Sequence, residues 1–184
     1  MNAVFRRALG ALGLIALPLL LHASAGPVDP AASTISATFR QMNVPVEGRF
    51  TRFSGRVDYR AAEPGASSAE LEIDTASFDL GLDDYNAEVR KPEWFDSARH
   101  PVARFSATGL QPQGDGRFRV RGTLTLKGQT HPLIATLTLS QTEGLNFFEG
   151  EVPVSRKRYG LGDAGWDGVL DDEVIVRFRI AQPQ

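Results

Sequence analysis

The sequence predicts an all-β domain of eight mostly antiparallel strands with one short helical insertion between the third and fourth. Three observations predict it. Apolar and polar residues alternate with period two along most of the chain after residue 33, the pattern of half-buried strands. The alternation fails over Asp79 to His100, a segment with helix start and stop signals, and again in a loop from Ser155 to Glu173. The 184 residues, 42% apolar and 23% charged, suit one globular domain, and zero cysteines leave strand pairing rather than disulfides to close it.

Arg6 and Arg7 precede an apolar or small-residue stretch from Ala8 to Leu21, followed by Ala23-Ser24-Ala25, the small-x-small pattern of signal peptidase sites. A helix over that stretch would reach about 21 Å, short of a hydrocarbon core of roughly 30 Å. Residues 1–25 are therefore expected to be a cleaved secretory signal peptide, and residues 26–184 the mature, periplasmic domain. Removing the two arginines takes the formal net charge from −2 to −4.

In the first predicted strand Ile35, Ala37 and Phe39 alternate with Thr34, Ser36, Thr38 and Arg40. The second, Val46 to Tyr59, slips in phase: Gly48 and Phe50 are even, whereas Phe53, Gly55, Val57 and Tyr59 are odd, which predicts a bulge near Thr51-Arg52. Ala69, Leu71 and Ile73 mark the third. In the insertion Asp83 or Asp84 can cap a helix through Lys91, Pro92 stops it, and Trp94-Phe95 follow on a short connection that reads as a lid. Ala103, Phe105 and Ala107 form the fourth strand. Phe118 to Leu126 turns through Lys127-Gly128-Gln129-Thr130 into Leu133 to Leu139, a hairpin that supplies the fifth and sixth. Phe148, Gly150, Val152 and Val154 make the seventh; Val174, Val176, Phe178 and Ile180 make the last. One apolar face per strand is buried by closing into a barrel or by pairing two sheets as a sandwich.

Much chemistry is excluded. Without cysteine there is no thiol nucleophile, iron–sulfur cluster or thiolate metal site. His100 and His131 each precede a proline as turn residues, with no G-x-S-x-G elbow, and Asp163, Asp167, Asp171 and Asp172 do not match a calcium loop. No cofactor or metal is expected, and a −4 chain lacks the basic footprint of a nucleic-acid binder. The strand faces mix bulky residues with many Gly and Ala, which either relieves crowding or leaves room for an apolar ligand.

Certain pieces, in this order and spacing, are specific: Val46-Glu47-Gly48-Arg49-Phe50 with Phe53-Ser54-Gly55, Ile73-Asp74 through Ser77, Phe95-Asp96 before Pro101 and Phe105-Ser106-Ala107-Thr108, Gly122 to Gly128 with Thr130 and Pro132, and Arg156 with Tyr159-Gly160-Leu161-Gly162. From about Val28 to Ile180 the chain resembles the YceI-like family, exported bacterial lipocalin-like barrels that bind polyisoprenoid or other long-chain lipids. The resemblance implies a lipocalin-like barrel and a partner that is a long-chain isoprenoid lipid or quinone. The expected tunnel lining is Phe39, Phe50, Phe53, Val57, Leu71, Ile73, Trp94, Phe95, Phe105, Leu124, Leu137, Phe148, Val152 and Tyr159. The family's Arg-Asp/Asn-x-His-Leu stretch is replaced by Tyr85-Asn86-Ala87-Glu88-Val89, so a phenol and a carboxylate stand where the family has a basic pair. Its histidine near the second strand is also missing from Gln41-Met42-Asn43. Two other classes compete. One is a solid-core interaction module for a membrane redox or envelope partner; the other is a lipid-modifying enzyme using Glu88, Tyr85 or Asp96. A tunnel shared across a homodimer fits the same pattern.

Overall fold

The computed structural model describes residues 25–184; the expected signal peptide lies outside them except for Ala25. Among the described residues there are eleven strands: β1 (Gly26–Pro27), β2 (Thr34–Gln41), β3 (Val44–Phe50), β4 (Phe53–Asp58), β5 (Ser68–Asp74), β6 (Phe78–Asp79), β7 (Val102–Gly114), β8 (Arg117–Leu126), β9 (Gln129–Thr142), β10 (Leu145–Ser155) and β11 (Glu173–Pro183). A single helix, α1 (Asp83–Val89), accompanies them, with short 3₁₀ turns between strands. All strands belong to one antiparallel sheet in the order β1-β4-β5-β7-β8-β9-β10-β11-β2-β3-β6.

The count of eight is corrected to eleven. Two two-residue strands, β1 and β6, escape a period-two reading because they are too short to alternate. The expected long second strand is divided at Thr51-Arg52, and the divider is Ser77. The Thr51 N–H donates to the Ser77 carbonyl at 3.2 Å, and the Arg52 N–H donates to Ser77 Oγ at 3.1 Å. The Asp74 N–H donates to the Arg52 carbonyl at 3.0 Å. The predicted bulge is thus a corner whose backbone groups are satisfied outside the ladder.

That corner decides the shape. β3 pairs with β2, whereas β4 pairs with β5, far away in strand order. One bent segment therefore joins both ends of the sheet, and the sheet curls into a half-barrel around an apolar interior. Residues 26–33 stitch the remaining side: Gly26 pairs with Val57 of β4, the Asp29 N–H donates to the Ala181 carbonyl of β11 at 2.8 Å, and the Ala181 N–H donates to Ser33 Oγ at 2.8 Å.

The hairpin through Lys127-Gly128 forms as the sequence predicts, with φ of 49° and 75°, the left-handed pair of a type I′ turn. Helix α1 is shorter than expected, ending at Val89. Its N-cap is Leu82 rather than an aspartate; Asp83 and Asp84 lie in the first turn, where they favour the positive end of the helix dipole. The Lys91 N–H then donates to the Glu88 carbonyl and the Phe95 N–H to the Val89 carbonyl, each at 3.0 Å, tightening the chain ahead of Pro92 and turning Trp94 and Phe95 inward.

The inner glycines seat rings rather than open space. A Cβ on Gly48 would coincide with the Phe78 ring, and one on Gly150 would lie 2.9 Å from Phe178 Cζ and 2.5 Å from the Thr136 carbonyl. Gly150→Val should therefore cost about 1–3 kcal/mol of stability through overpacking, read as a lowered denaturation midpoint in urea. The room inside comes from the alanines instead.

Candidate binding cavity

The interior holds two chambers. The narrower, about 150 Å³, runs between the walls of β4, β5 and β7 to β11 and is lined almost wholly by apolar side chains, among them Val57, Ala69, Leu71, Phe105, Ala107, Ala135, Leu137, Phe148 and Val152. The larger, about 500 Å³, lies at the other end under α1 and the two long connections, with Ala37, Phe39, Phe50, Phe78, Val89, Trp94, Phe95, Leu161 and Trp166 on its walls. Ile35, Ile73, Leu124, Val154 and Val176 border both. These five side chains stand between two adjacent apolar compartments. Leu124 and Val176 face inward and are half-buried beside the void, whereas Ile35, Ile73 and Val154 are buried. A packed interior would leave no such room, so the solid-core reading does not fit this chain.

Of the expected lining residues, the structure places Phe39, Phe50, Trp94 and Phe95 on the larger chamber. Val57, Leu71, Phe105, Leu137, Phe148 and Val152 border the narrower one, and Ile73 and Leu124 border both. Phe53 and Tyr159 border neither chamber. Phe53 follows the Thr51-Arg52 corner and packs on the core. Tyr159, 2% exposed, is packed into the core: its hydroxyl donates to the Leu124 carbonyl at 3.4 Å and its ring meets His131 edge-on at 5.1 Å. Burial pushes that phenol's pKa up. Several lining residues were not singled out from sequence. Ile35, Val176 and Phe178 carried a usable signal, since they continue the inward phase of β2 and β11.

The lid is tied down by its own side chains. Phe95 closes an aromatic cluster with Phe50 and Phe78, centroids 5.9 and 5.5 Å away, and Trp94 packs against Trp166 at 5.1 Å. Asn86 joins α1 to the sheet edge, its Nδ2 donating to Asp79 Oδ1 and its Oδ1 accepting from the Leu80 N–H. Lys127 Nζ reaches from the β8–β9 turn to the Gly160 carbonyl at 2.6 Å and the Glu93 carbonyl at 3.3 Å, bridging lid and late loop. Burial lowers that ammonium's pKa. Arg156, 3% exposed, organises the late loop: its Nε donates to the Asp171 carbonyl, Nη1 to the Leu161 carbonyl, and Nη2 to the Leu170 carbonyl and Asp167 Oδ1, at 2.9–3.4 Å.

Asp96 sits beneath the lid with φ of 51° and 2% exposure, off the chamber walls, so its role is structural. Its carboxylate accepts from Arg99 Nε at 2.7 Å, and that hydrogen bond holds its pKa below the ordinary carboxylate value. A carboxyl depressed by folding contributes stability above its unfolded pKa near about 3.9, and the contribution is lost as pH falls through the lower folded value. Thermal melts should therefore show Asp96→Asn less stable than wild type at neutral pH, with the gap narrowing below about pH 4. A gap that stays constant on acidification would contradict this role.

No group of three or more His, Asp or Glu side chains able to hold a metal occurs among the described residues. The histidines serve local contacts, His131 Nε2 lying 3.0 Å from the Arg158 carbonyl and His100 Nε2 4.0 Å from Asp96 Oδ2.

A curled antiparallel sheet with a capped, apolar, two-chambered interior defines a lipocalin-like β protein. The chain belongs to the YceI-like domain family, whose model matches residues 27–182. Among solved structures it is similar to BcnA of Burkholderia cenocepacia, at 36% identity and a TM-score of 0.81 over 84% of this chain and 98% of that one. A polyisoprenoid binding domain from Saccharophagus degradans shares the fold at 21% identity and a TM-score of 0.72, over 88% of this chain and 100% of that one. A UPF0312 protein of Vibrio cholerae is 29% identical over 181 residues, covering 92% of this chain and 94% of the relative.

Proposed function

We propose that this protein is an exported, non-catalytic carrier that holds one long-chain isoprenoid lipid, a polyprenyl chain or a quinone, along the axis of its half-barrel, for transport, storage or sequestration in the periplasm. Two apolar chambers placed end to end and sharing Leu124 carry the reading, since such an elongated apolar interior fits a chain rather than a compact ligand. Burial of each CH₂ contributes about 0.8 kcal/mol, so a few isoprene units offset association costs of several kcal/mol with no ionic contact. The Saccharophagus degradans relative, described as a polyisoprenoid binding domain, lends support. Cleavage after Ala25 would leave Gly26, the first residue of β1, as the mature N-terminus.

A titration of the mature protein tests it. Trp94 and Trp166, the two tryptophans of the chain, both border the larger chamber and report occupancy by fluorescence. Affinity is expected to rise with chain length across a series of isoprenoids until the narrower chamber is filled, then level off. An affinity independent of chain length would contradict an axial tunnel.

A further inference from the structure

The larger chamber ends on polar side chains that its apolar walls do not explain. Among the described residues its ionisable lining is Tyr85, Glu88 and Arg156, together with the Gln41 amide. The Arg156 guanidinium is engaged by four oxygens of its own loop. Glu88 is engaged less: Oε2 accepts from Lys91 Nζ at 2.5 Å and Oε1 from the Trp94 indole at 3.4 Å, so both oxygens keep lone-pair capacity. The Lys91 hydrogen bond holds this carboxyl below its ordinary pKa, ionised at neutral pH. Lys91 itself is 56% exposed and does not border the chamber. The mouth therefore meets a ligand's polar end with a carboxylate that accepts and cannot donate, beside a phenol and an amide that do either.

We propose that this chamber selects isoprenoids whose polar end donates hydrogen bonds and carries no negative charge, a hydroxyl-headed polyprenol or a reduced quinone, and disfavours the corresponding phosphates, with Glu88 as the specificity-determining residue. The assignment rests on the lipid-carrier reading above. A hydroxyl finds an acceptor at Glu88. A phosphate would bring negative charge toward a carboxylate in a partly desolvated mouth whose bordering guanidinium is already committed, a like-charge contact that discriminates against it.

Competition binding read by native mass spectrometry tests it, with a polyprenol, its monophosphate and the headless hydrocarbon of equal chain length offered to wild type, Glu88→Gln and Glu88→Lys. Wild type is expected to favour the alcohol over the monophosphate at least about tenfold, Glu88→Gln to shrink that preference below about threefold, and Glu88→Lys to reverse it. Uptake of the hydrocarbon certifies the fold of each variant, and if Glu88→Lys does not fold, Glu88→Gln and the wild-type ratio decide. A wild-type protein that takes up the hydrocarbon but prefers the monophosphate overturns the assignment of Glu88 alone, as does a ratio that neither folded variant moves. Uptake of none of the three overturns the carrier reading and this inference with it.

Discussion

Leu124→Trp is expected to lower the affinity for a long-chain isoprenoid at least about a hundredfold while leaving the protein folded. Leu124 borders both chambers, and an indole there would bar a chain seated in the larger one from entering the 150 Å³ compartment. Excluding one five-carbon unit from that compartment removes burial of about 0.8 kcal/mol per carbon, a loss of about 4 kcal/mol, equivalent to several hundredfold in Kd. A ligand short enough to sit wholly in the larger chamber should bind the variant about as it binds wild type. Calorimetric titration with a short and a long isoprenoid separates these outcomes. Equal losses for both would place the ligand elsewhere.

Arg156→Ala should be the most damaging single change to the fold. The side chain is buried, and its guanidinium satisfies the Leu161, Leu170 and Asp171 carbonyls and Asp167 Oδ1. Removing it leaves several acceptors without a donor, each costing about 1–3 kcal/mol when desolvated. A total of about 3–5 kcal/mol is expected, and at about 2–4 °C per kcal/mol for a domain of this size the melting temperature should fall by roughly 10 °C or more. Lys157→Ala is the control. Lys157 pairs with the same Asp167 at 2.6 Å, but both partners are about half exposed, and such pairs contribute roughly 0–1 kcal/mol. A small effect at Arg156, or equal effects at the two sites, would contradict the assigned role.

What was legible in the sequence follows the range of the interaction involved. Alternation over β7 to β11 needs only neighbouring residues, so Ala103, Leu124, Leu137 and Phe148 are read onto the inner face before any tertiary contact is known. The phase slip at Thr51-Arg52 likewise locates the place where the sheet turns. Its character was hidden, because the groups that take over its hydrogen bonds belong to Ser77 and Asp74, more than twenty residues away. Phe53 keeps the inward phase opposite Ile73, and Tyr159 packs into the core from a 3₁₀ turn, but phase alone does not tell which inward residues border a void. The framework role of Arg156 left no local trace, since its acceptors are carbonyls in a loop without periodicity. The small inward residues left two readings open, relief of crowding or room for a ligand. Both hold, at different residues: Phe78 and Phe178 fill the ground above Gly48 and Gly150, and the cavity opens beside Ala37, Ala69, Ala107 and Ala135.

The central claim is that the interior exists to hold one isoprenoid chain. The most direct measurement is solvent extraction and mass spectrometry of the mature protein purified from its native envelope, followed by uptake of added lipid. The account predicts one long-chain isoprenoid per protein molecule, with no comparable recovery from Leu124→Trp. A protein that emerges empty and also takes up neither a polyprenyl lipid nor a quinone would contradict it.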